Sequence, residues 1–513
     1  MAKDRFLVKA RWLVTLGKSK PLIDNGALIV EQGVVKEIGT QQELSGKGRF
    51  DFEIGGGSHD IALPGLVNAH HHVGRYFRDG LSDLPLEIWL LRLRQQFRFP
   101  LTQQESYDNT LWSCLELIRG GVTSVIAFHS EPPGPDNINW EAALQAYRDS
   151  GLRVAFCLGV SDQNRFLYDD DQGFIDALPE KLARRIKADL EPFSWESYFR
   201  AWCSMYEKYD DREGKLRIFL APSGTQWCSD GLLNKIKSAA NEFSTGIQLH
   251  LLETRYQREY GLRKWGKSMV AHLAEIGFLG PEVSAAHCVW LEESDLKIMA
   301  ESGVTAVHNP SSNLRLGSGI APVAAMTEAG VNLALGLDGL GLNDNGDILS
   351  DMRLAMFLQR TPGLAGKRLS PKRTLELATK GGARALLLDE KLGRLEPGCI
   401  ADIVLLDGQS IWRAPFVNPD NDFFEVLLVR GRGQDVKAVI VAGKPVMRDG
   451  EVCGIDASAV RARLDDLCLK RQAKMAQDRA LVGELEGKLI EYFTRWDKQS
   501  QNLSQPRYRY NLL

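Results

Sequence analysis

Nine histidines occur in the sequence, and all but His59 and His272 sit at or beside the ends of short apolar runs. Residues 70–72 read His-His-His at the close of LPGLVNAHHH. Side chains two apart point the same way along an extended strand, so His70 and His72 can hold one ion together while His71 faces the other side. Two adjacent imidazoles on one face need a reason not to charge and repel, and a cation supplies it. His250 in LHLLE and Asp338 in GLDG offer a third and a fourth donor for a mononuclear site. Three imidazoles and a carboxylate leave room for a water whose pKa such a metal lowers to about 7, with Asp338 able to take its proton. Glu253, three residues after His250, can carry a proton to a ring nitrogen and then to a leaving group. His287, at the end of the next strand, can polarise a developing oxyanion or alkoxide. Each of these residues alone has an ordinary structural explanation. Their joint placement on strands one, five, six and eight does not.

Five further residues are candidate substrate contacts at the same mouth: Gln226, Trp227, His308, Glu87 and Trp89. Packing explains Trp227 and Trp89 equally well, and local hydrogen bonding is the favoured reading of His129. Gly317 and Gly319 lack the Lys-Ser/Thr and the preceding strand of a phosphate-binding loop.

Positioning these residues requires a particular run of elements. The strand candidates are IALPGLVNAH, VTSVIAFH, LRVAFCLG, LRIFLAPSG, GIQLHLLE, VSAAHCVW, VTAVHNP and NLALGLDG, separated by amphipathic stretches such as QESYDNTLWSCLELIRGG. Eight buried strands alternating with helices are what a (β/α)8 barrel demands, and a barrel gathers the C-terminal strand ends on one face. The α/β reading is therefore a distorted (β/α)8 TIM-like barrel over residues 61–390. A small composite β-sandwich domain comes from both flanks, 1–60 and 391–455, and a helical C-terminal extension spans 456–513. Leu464, Leu467, Leu485 and Leu489 mark the apolar side of that extension, which ends RYRYNLL.

Composition narrows the class. Among 513 residues, 63 Lys+Arg against 66 Asp+Glu give a net charge of −3, which supplies no surplus basic charge for nucleic acid. No apolar run reaches the roughly 18 residues of a membrane span. Eight cysteines lie scattered without a CxxC pair, the pattern of a reducing cytoplasm.

The motif set resembles the amidohydrolase superfamily, in its triazine-hydrolase and cytosine-deaminase-like branch. LPGLVNAHHH, LHLLET, AAHCVWL, VHNPSSNLRLGSGIAPV, LGLDGLGLND and LGRLEPGCIADIVLLD run in the family's order and cover the chain to about residue 455. The resemblance implies a metal held by His70, His72, His250 and Asp338, with proton-shuttling roles for Glu253 and His287. It implies one divalent metal per chain, Zn2+ or, as in some relatives, Fe2+, and a homodimer or larger homo-oligomer. Two departures mark this chain. Gln226 and Trp227 stand in a strand-four segment where relatives often carry His or Arg. Leu342 and Asn343 stand where several relatives have Ser-Asn. Strand four also lacks the bridging lysine of binuclear members, since Lys215 precedes it. The expected reaction is hydrolytic deamination of an aminated purine, pyrimidine or s-triazine. Dechlorination or ring-amide hydrolysis is the alternative within the class. A catalytically inactive barrel acting as a binding or scaffolding protein is the alternative outside it.

Overall fold

The computed structural model describes residues 5–18, 20–73, 84–97, 101–129, 138–164, 166–188, 193–211, 214–339, 346–364, 366, 368–412 and 421–499. The first five strands belong to one sheet: β1 (Arg5–Val14), β2 (Leu22–Glu31), β3 (Val34–Thr40), β4 (Glu53–Gly55) and β5 (Asp60–Pro64). Eight barrel strands follow: β6 (Leu66–His72), β7 (Val122–His129), β8 (Arg153–Val160), β9 (Leu216–Pro222), β10 (Ile247–Leu251), β11 (Val283–His287), β12 (Thr305–His308) and β13 (Asn332–Leu335). The chain then returns to the first sheet through β14 (Ile403–Asp407), β15 (Val436–Val441), β16 (Lys444–Arg448) and β17 (Glu451–Val452).

The first sheet runs β17-β16-β15-β14-β5-β1-β2-β3, with β4 beside β1. The flanking domain is, as expected, composite: nine strands from both flanks form a mixed sheet whose two ends share a core that includes Phe6, Val8, Leu28, Ile403 and Ile440. The stretch IALPGLVNAH, expected as a single strand, is two. β5 pairs with β14 in the composite sheet, and β6 pairs with β7 in the barrel. The chain passes from the composite sheet to the barrel at Gly65. A Cβ at Gly65 would meet Thr123 Oγ1 at 2.3 Å and Asp402 Cβ at 2.8 Å, so the two sheets approach too closely for a side chain there.

All eight barrel strands pair in parallel from β6 to β13. Strands β7 and β8 are buried along their whole length, as parallel strands covered on both faces must be. Alternate residues fill the interior, among them Val67, Ala69, Ile126, Phe128, Phe219, Val307 and Ala334. Their neighbours, such as Val125, Val154, Phe156 and Leu220, pack outward in the larger core beneath the helices. The ring closes where the Asp338 N–H donates to the His70 carbonyl at 2.9 Å and the Leu337 N–H donates to Asn68 Oδ1 at 2.9 Å.

The helix Gln103–Arg119 starts with a capping box: Thr102 accepts from the Glu105 N–H, and Glu105 accepts from the Thr102 N–H. Against it lies the 43-residue helix Ala457–Gln499. Leu464 and Leu467 are buried with Leu111 and Ala146, and Arg463 grips Asp108 through two hydrogen bonds of 2.6 and 2.8 Å. The terminal RYRYNLL lies outside the described residues. Among the described residues no helix is long and apolar enough to cross a membrane.

Candidate active site

Strand ends deliver the polar side chains to one place. Between Asn68 and His71 the β6–β7 register shifts, an irregularity that re-aims the end of β6. His70 and His72 then meet His250 from β10, with ring centroids 4.9 Å (His70–His72), 4.9 Å (His70–His250) and 5.2 Å (His72–His250) apart. Asp338 Oδ1 lies 3.8 Å from His70 Nε2 and 3.7 Å from His72 Nε2. One donor atom each from His70, His72 and His250 fall within 4.8 Å of one another, and so do those of His70, His287 and Asp338. His71 points away and binds the Asp338 carbonyl through Nδ1 at 3.0 Å.

The surroundings fix how these imidazoles present themselves. Gln248 Nε2 donates to the Ala69 carbonyl at 2.8 Å and to Ser284 Oγ at 3.2 Å. Its Oε1 therefore accepts from His70 Nδ1–H at 2.9 Å, which leaves a lone pair on His70 Nε2. That Nε2 is buried without a hydrogen-bond partner. His250 Nδ1–H donates to the Ser223 carbonyl at 2.6 Å, so its Nε2 also carries a lone pair, 3.0 Å from His72 Nε2. Burial holds His70 and His250 down to about 4, so both are neutral at pH 7. Buried, neutral nitrogens converging beside a carboxylate fit a divalent cation such as zinc.

Asp338 is held from outside the cluster: Ser312 Oγ donates to its Oδ2 at 2.6 Å, and the Gly339 N–H donates to its Oδ1 at 2.8 Å. Burial alone would raise its pKa, but His72, His70 and His287 hold the carboxyl below the usual range, and it is ionised. His287 and Asp338 both adopt left-handed backbone, with φ of 76° and 61°, a strain of about 1–3 kcal/mol each that accompanies their placement at the mouth. His287 Nδ1 contacts Asn313 Oδ1 at 2.9 Å and, less closely, Asn309 Nδ2 at 3.4 Å. The nearer acceptor places the proton on Nδ1. Nε2 then faces Glu253 Oε2 at 3.6 Å and Asp338 Oδ2 at 4.0 Å. Burial, with Asp338 and Glu87 nearby, drives the Glu253 carboxyl well above its ordinary pKa.

Near this centre lies a small recess, with room for about one water, lined by Glu87, Leu90, Leu91, Phe166, Tyr168, Trp227 and Leu489. Glu87 Oε1 accepts from Tyr168 Oη and from Thr254 Oγ1, both at 2.8 Å, and burial raises its pKa. Gln226 and Trp227 lie on the turn Thr225–Trp227, whose preceding Gly224 pairs with His250. The side-chain amide of Gln226 is buried with neither atom hydrogen-bonded. Trp89 packs with Leu86 and Leu316. His308 is buried at the end of β12 with both ring nitrogens unpartnered, and burial holds it down to about 3. His129 stacks on Phe156 at 4.1 Å. Leu342 and Asn343 lie outside the described residues.

Sequence reading missed Gln248, Ser312, Asn309, Asn313, Tyr168 and Leu489 as parts of this site. Gln248 had a signal, since it stands two residues before His250 and shares its strand face. Tyr168 and Leu489 had none, because only the folded chain brings them to Glu87.

A barrel that gathers four metal-type donors and a buried acid at its C-terminal mouth is built as a metal-dependent hydrolase. The amidohydrolase family model matches residues 61–446, and the chain belongs to that family. It is 32% identical over 455 residues to a 5'-deoxyadenosine deaminase of Methanosarcina barkeri, covering 88% of this chain and 95% of that one. It is 30% identical to a 5-methylthioadenosine/S-adenosylhomocysteine deaminase of Syntrophomonas wolfei, over 92% of this chain and 100% of the other. A zinc-bound adenosine deaminase structure from Xanthomonas campestris superposes with a TM-score of 0.77 at 25% identity, covering 91% and 98% of the two chains. The protein is accordingly a hydrolase acting on C–N bonds other than peptide bonds, built around a donor set that fits a divalent metal.

Proposed function

We propose that the protein hydrolyses the exocyclic amino group of a purine nucleoside of the adenosine type that lacks a free 5′ hydroxyl, releasing ammonia and leaving the 6-oxo purine. The observation that carries this reading is Glu253, a buried carboxyl whose pKa burial raises well above the ordinary range, facing His287 across the mouth. The named relatives support the substrate class. His70, His72, His250 and Asp338 would hold the zinc. Zinc bound there supplies electrophilic activation, lowering the pKa of water toward 7.

The chain's own groups supply the proton traffic. Glu253 gives its proton to the ring nitrogen beside the attacked carbon. Ionised Asp338 takes one proton from the attacking water, and His287, held at Nδ1 by Asn313, accepts the second at Nε2 as the new C–O bond becomes a carbonyl, so that one proton serves the departing amine and the other restores Glu253. Glu253, recharged from the water, protonates the departing amine. Chloride leaves as the anion and needs no second proton, so amine loss makes fuller use of this carrier than dechlorination does. Trp227 and Glu87 would border the nucleoside in the recess, with Gln226 and His308 behind them and Trp89 as packing. Eight free cysteines support a reducing, cytoplasmic setting. The family resemblance supports a homodimer or larger assembly.

Replacing Glu253 by Gln tests the reading. Loss of general acid catalysis lowers kcat by about 10²–10⁴ with zinc content unchanged. Because a raised pKa extends the protonated range of the donor upward, wild-type turnover should persist above the ordinary carboxyl range and fall as pH rises through that pKa. The Gln variant loses this alkaline limb. Ammonia release from 5'-deoxyadenosine is the direct assay, and a Gln variant of wild-type rate refutes the assignment.

A further inference from the structure

The helix Ala457–Gln499 lies beyond the residues that the family model matches, yet its last turns stand at the active-site recess. Leu489 forms part of the recess wall opposite Glu87 and Trp227. One turn on, Phe493 and Trp496 pack edge-on against the Tyr168 ring, at 5.7 and 6.4 Å between centroids. Tyr168 in turn donates to Glu87. The helix is pinned to both elements that carry the buried carboxyls. Glu486 pairs at 3.1 Å with Arg92, on the helix Leu86–Phe97 that bears Glu87. Asp497 pairs with Arg255, which opens the helix directly after Glu253 and Thr254. Arg263 of that same helix lies over the Trp496 ring at 4.4 Å.

We infer that Leu489 is a specificity-determining residue: it closes an apolar subsite for the non-reacting substituent of the substrate and limits how far that substituent can extend. The inference rests on the nucleoside reading above. The recess supplies the chemistry for it. Leu90, Leu91, Phe166 and Leu489 are apolar, and Glu87, whose carboxyl accepts from Thr254 beside Glu253, completes the wall with Tyr168 and Trp227. A charged tail would have to enter without a charged partner among these lining residues other than the Glu87 carboxyl, whereas a short alkyl or thioether group meets four apolar side chains. The wall belongs to a helix held by ion pairs from two directions, so its position is fixed and Leu489 can act as a ruler.

The test compares Leu489→Ala and Leu489→Trp with the wild type, all zinc-loaded and matched for melting temperature and metal content. The probes are adenosine derivatives graded in their 5′ group from hydrogen through methylthio to longer thioethers. Two readouts are taken: kcat/KM from ammonia release, and Kd of the same compounds by calorimetry on metal-stripped protein. The Ala variant shifts the long-to-short ratio upward by roughly tenfold, and the Trp variant shifts it downward by a similar factor. A uniform change across the series, in either readout, overturns the inference and leaves Leu489 as packing. A shifted binding ratio without ammonia release upholds it while refuting the deaminase reading. Ammonia release with an unshifted ratio does the reverse, and binding of none of the compounds overturns both.

Discussion

Gln248 shows how much of a metal site is decided by residues that never touch the metal. Its amide is committed on one side, since Nε2 donates to Ala69 and Ser284, and so Oε1 is the atom that meets His70. That single constraint selects the His70 tautomer with a lone pair at Nε2. His250 reaches the same state through the Ser223 carbonyl, a backbone group that no side-chain substitution removes. Leucine at 248 keeps the volume and deletes the acceptor. Zinc affinity then falls by about 10–100-fold, as competition against a chelator of known affinity measures, while the barrel stays folded. An unchanged affinity would show that packing alone orients the His70 ring.

At the scale of elements, the barrel strands were legible because each is a short run buried on both faces, and burial of that kind leaves an apolar pattern in the sequence. The ligands were legible for a related reason: polar residues at the ends of such runs contradict the pattern, and the spacing of two in His70 and His72 matches the strand period. The junction between β5 and β6 was not legible, because IALPGLVNAH reads as one apolar run and the reason for its break is a contact with Thr123 and Asp402, far away in sequence. The same holds for Tyr168 and Leu489, whose meeting with Glu87 joins residues 81 and 402 positions apart through no local rule. The strand order of the composite sheet was not legible either, since sequence pattern identifies strands but not which edges join. Gly65 offers a test of the junction. Alanine there forces a methyl into space that Thr123 and Asp402 already fill, and chemical denaturation should report a loss of about 1–3 kcal/mol. A loss within the range of surface substitutions would mean that the two sheets separate easily at this point.

For the molecule as a whole, the composite sheet and the barrel are joined at the end opposite the active site by a buried ion pair. Arg153 opens β8, and Asp402 immediately precedes β14. Their side chains are 2% and 4% exposed and meet through two hydrogen bonds of 3.2 and 3.3 Å. Ser124 Oγ at 3.3 Å and the Ala442 N–H at 2.7 Å complete the shell around Asp402. The group thus ties β7, β8, the start of β14 and the end of β15 into one unit. Desolvating two charges offsets much of their attraction, so the pair itself adds little net stability. Removing one partner is different, because it leaves the other charged and buried. Asp402→Ala should cost about 3–5 kcal/mol in equilibrium unfolding, and Arg153→Met a similar amount. Arg153→Met combined with Asp402→Leu should cost clearly less than the sum of the singles, since it leaves no orphaned charge, although the Ser124 and Ala442 donors and the Gly214 carbonyl lose a partner. In a (β/α)8 barrel this lower face serves stability and the upper face serves chemistry. Zinc content and kcat per folded molecule should therefore match the wild type in all three variants, although the folded fraction falls on warming. Additive single and double costs would show that the two charges act independently, and a fall in kcat per folded molecule would show that the composite sheet reaches the metal centre through the barrel strands.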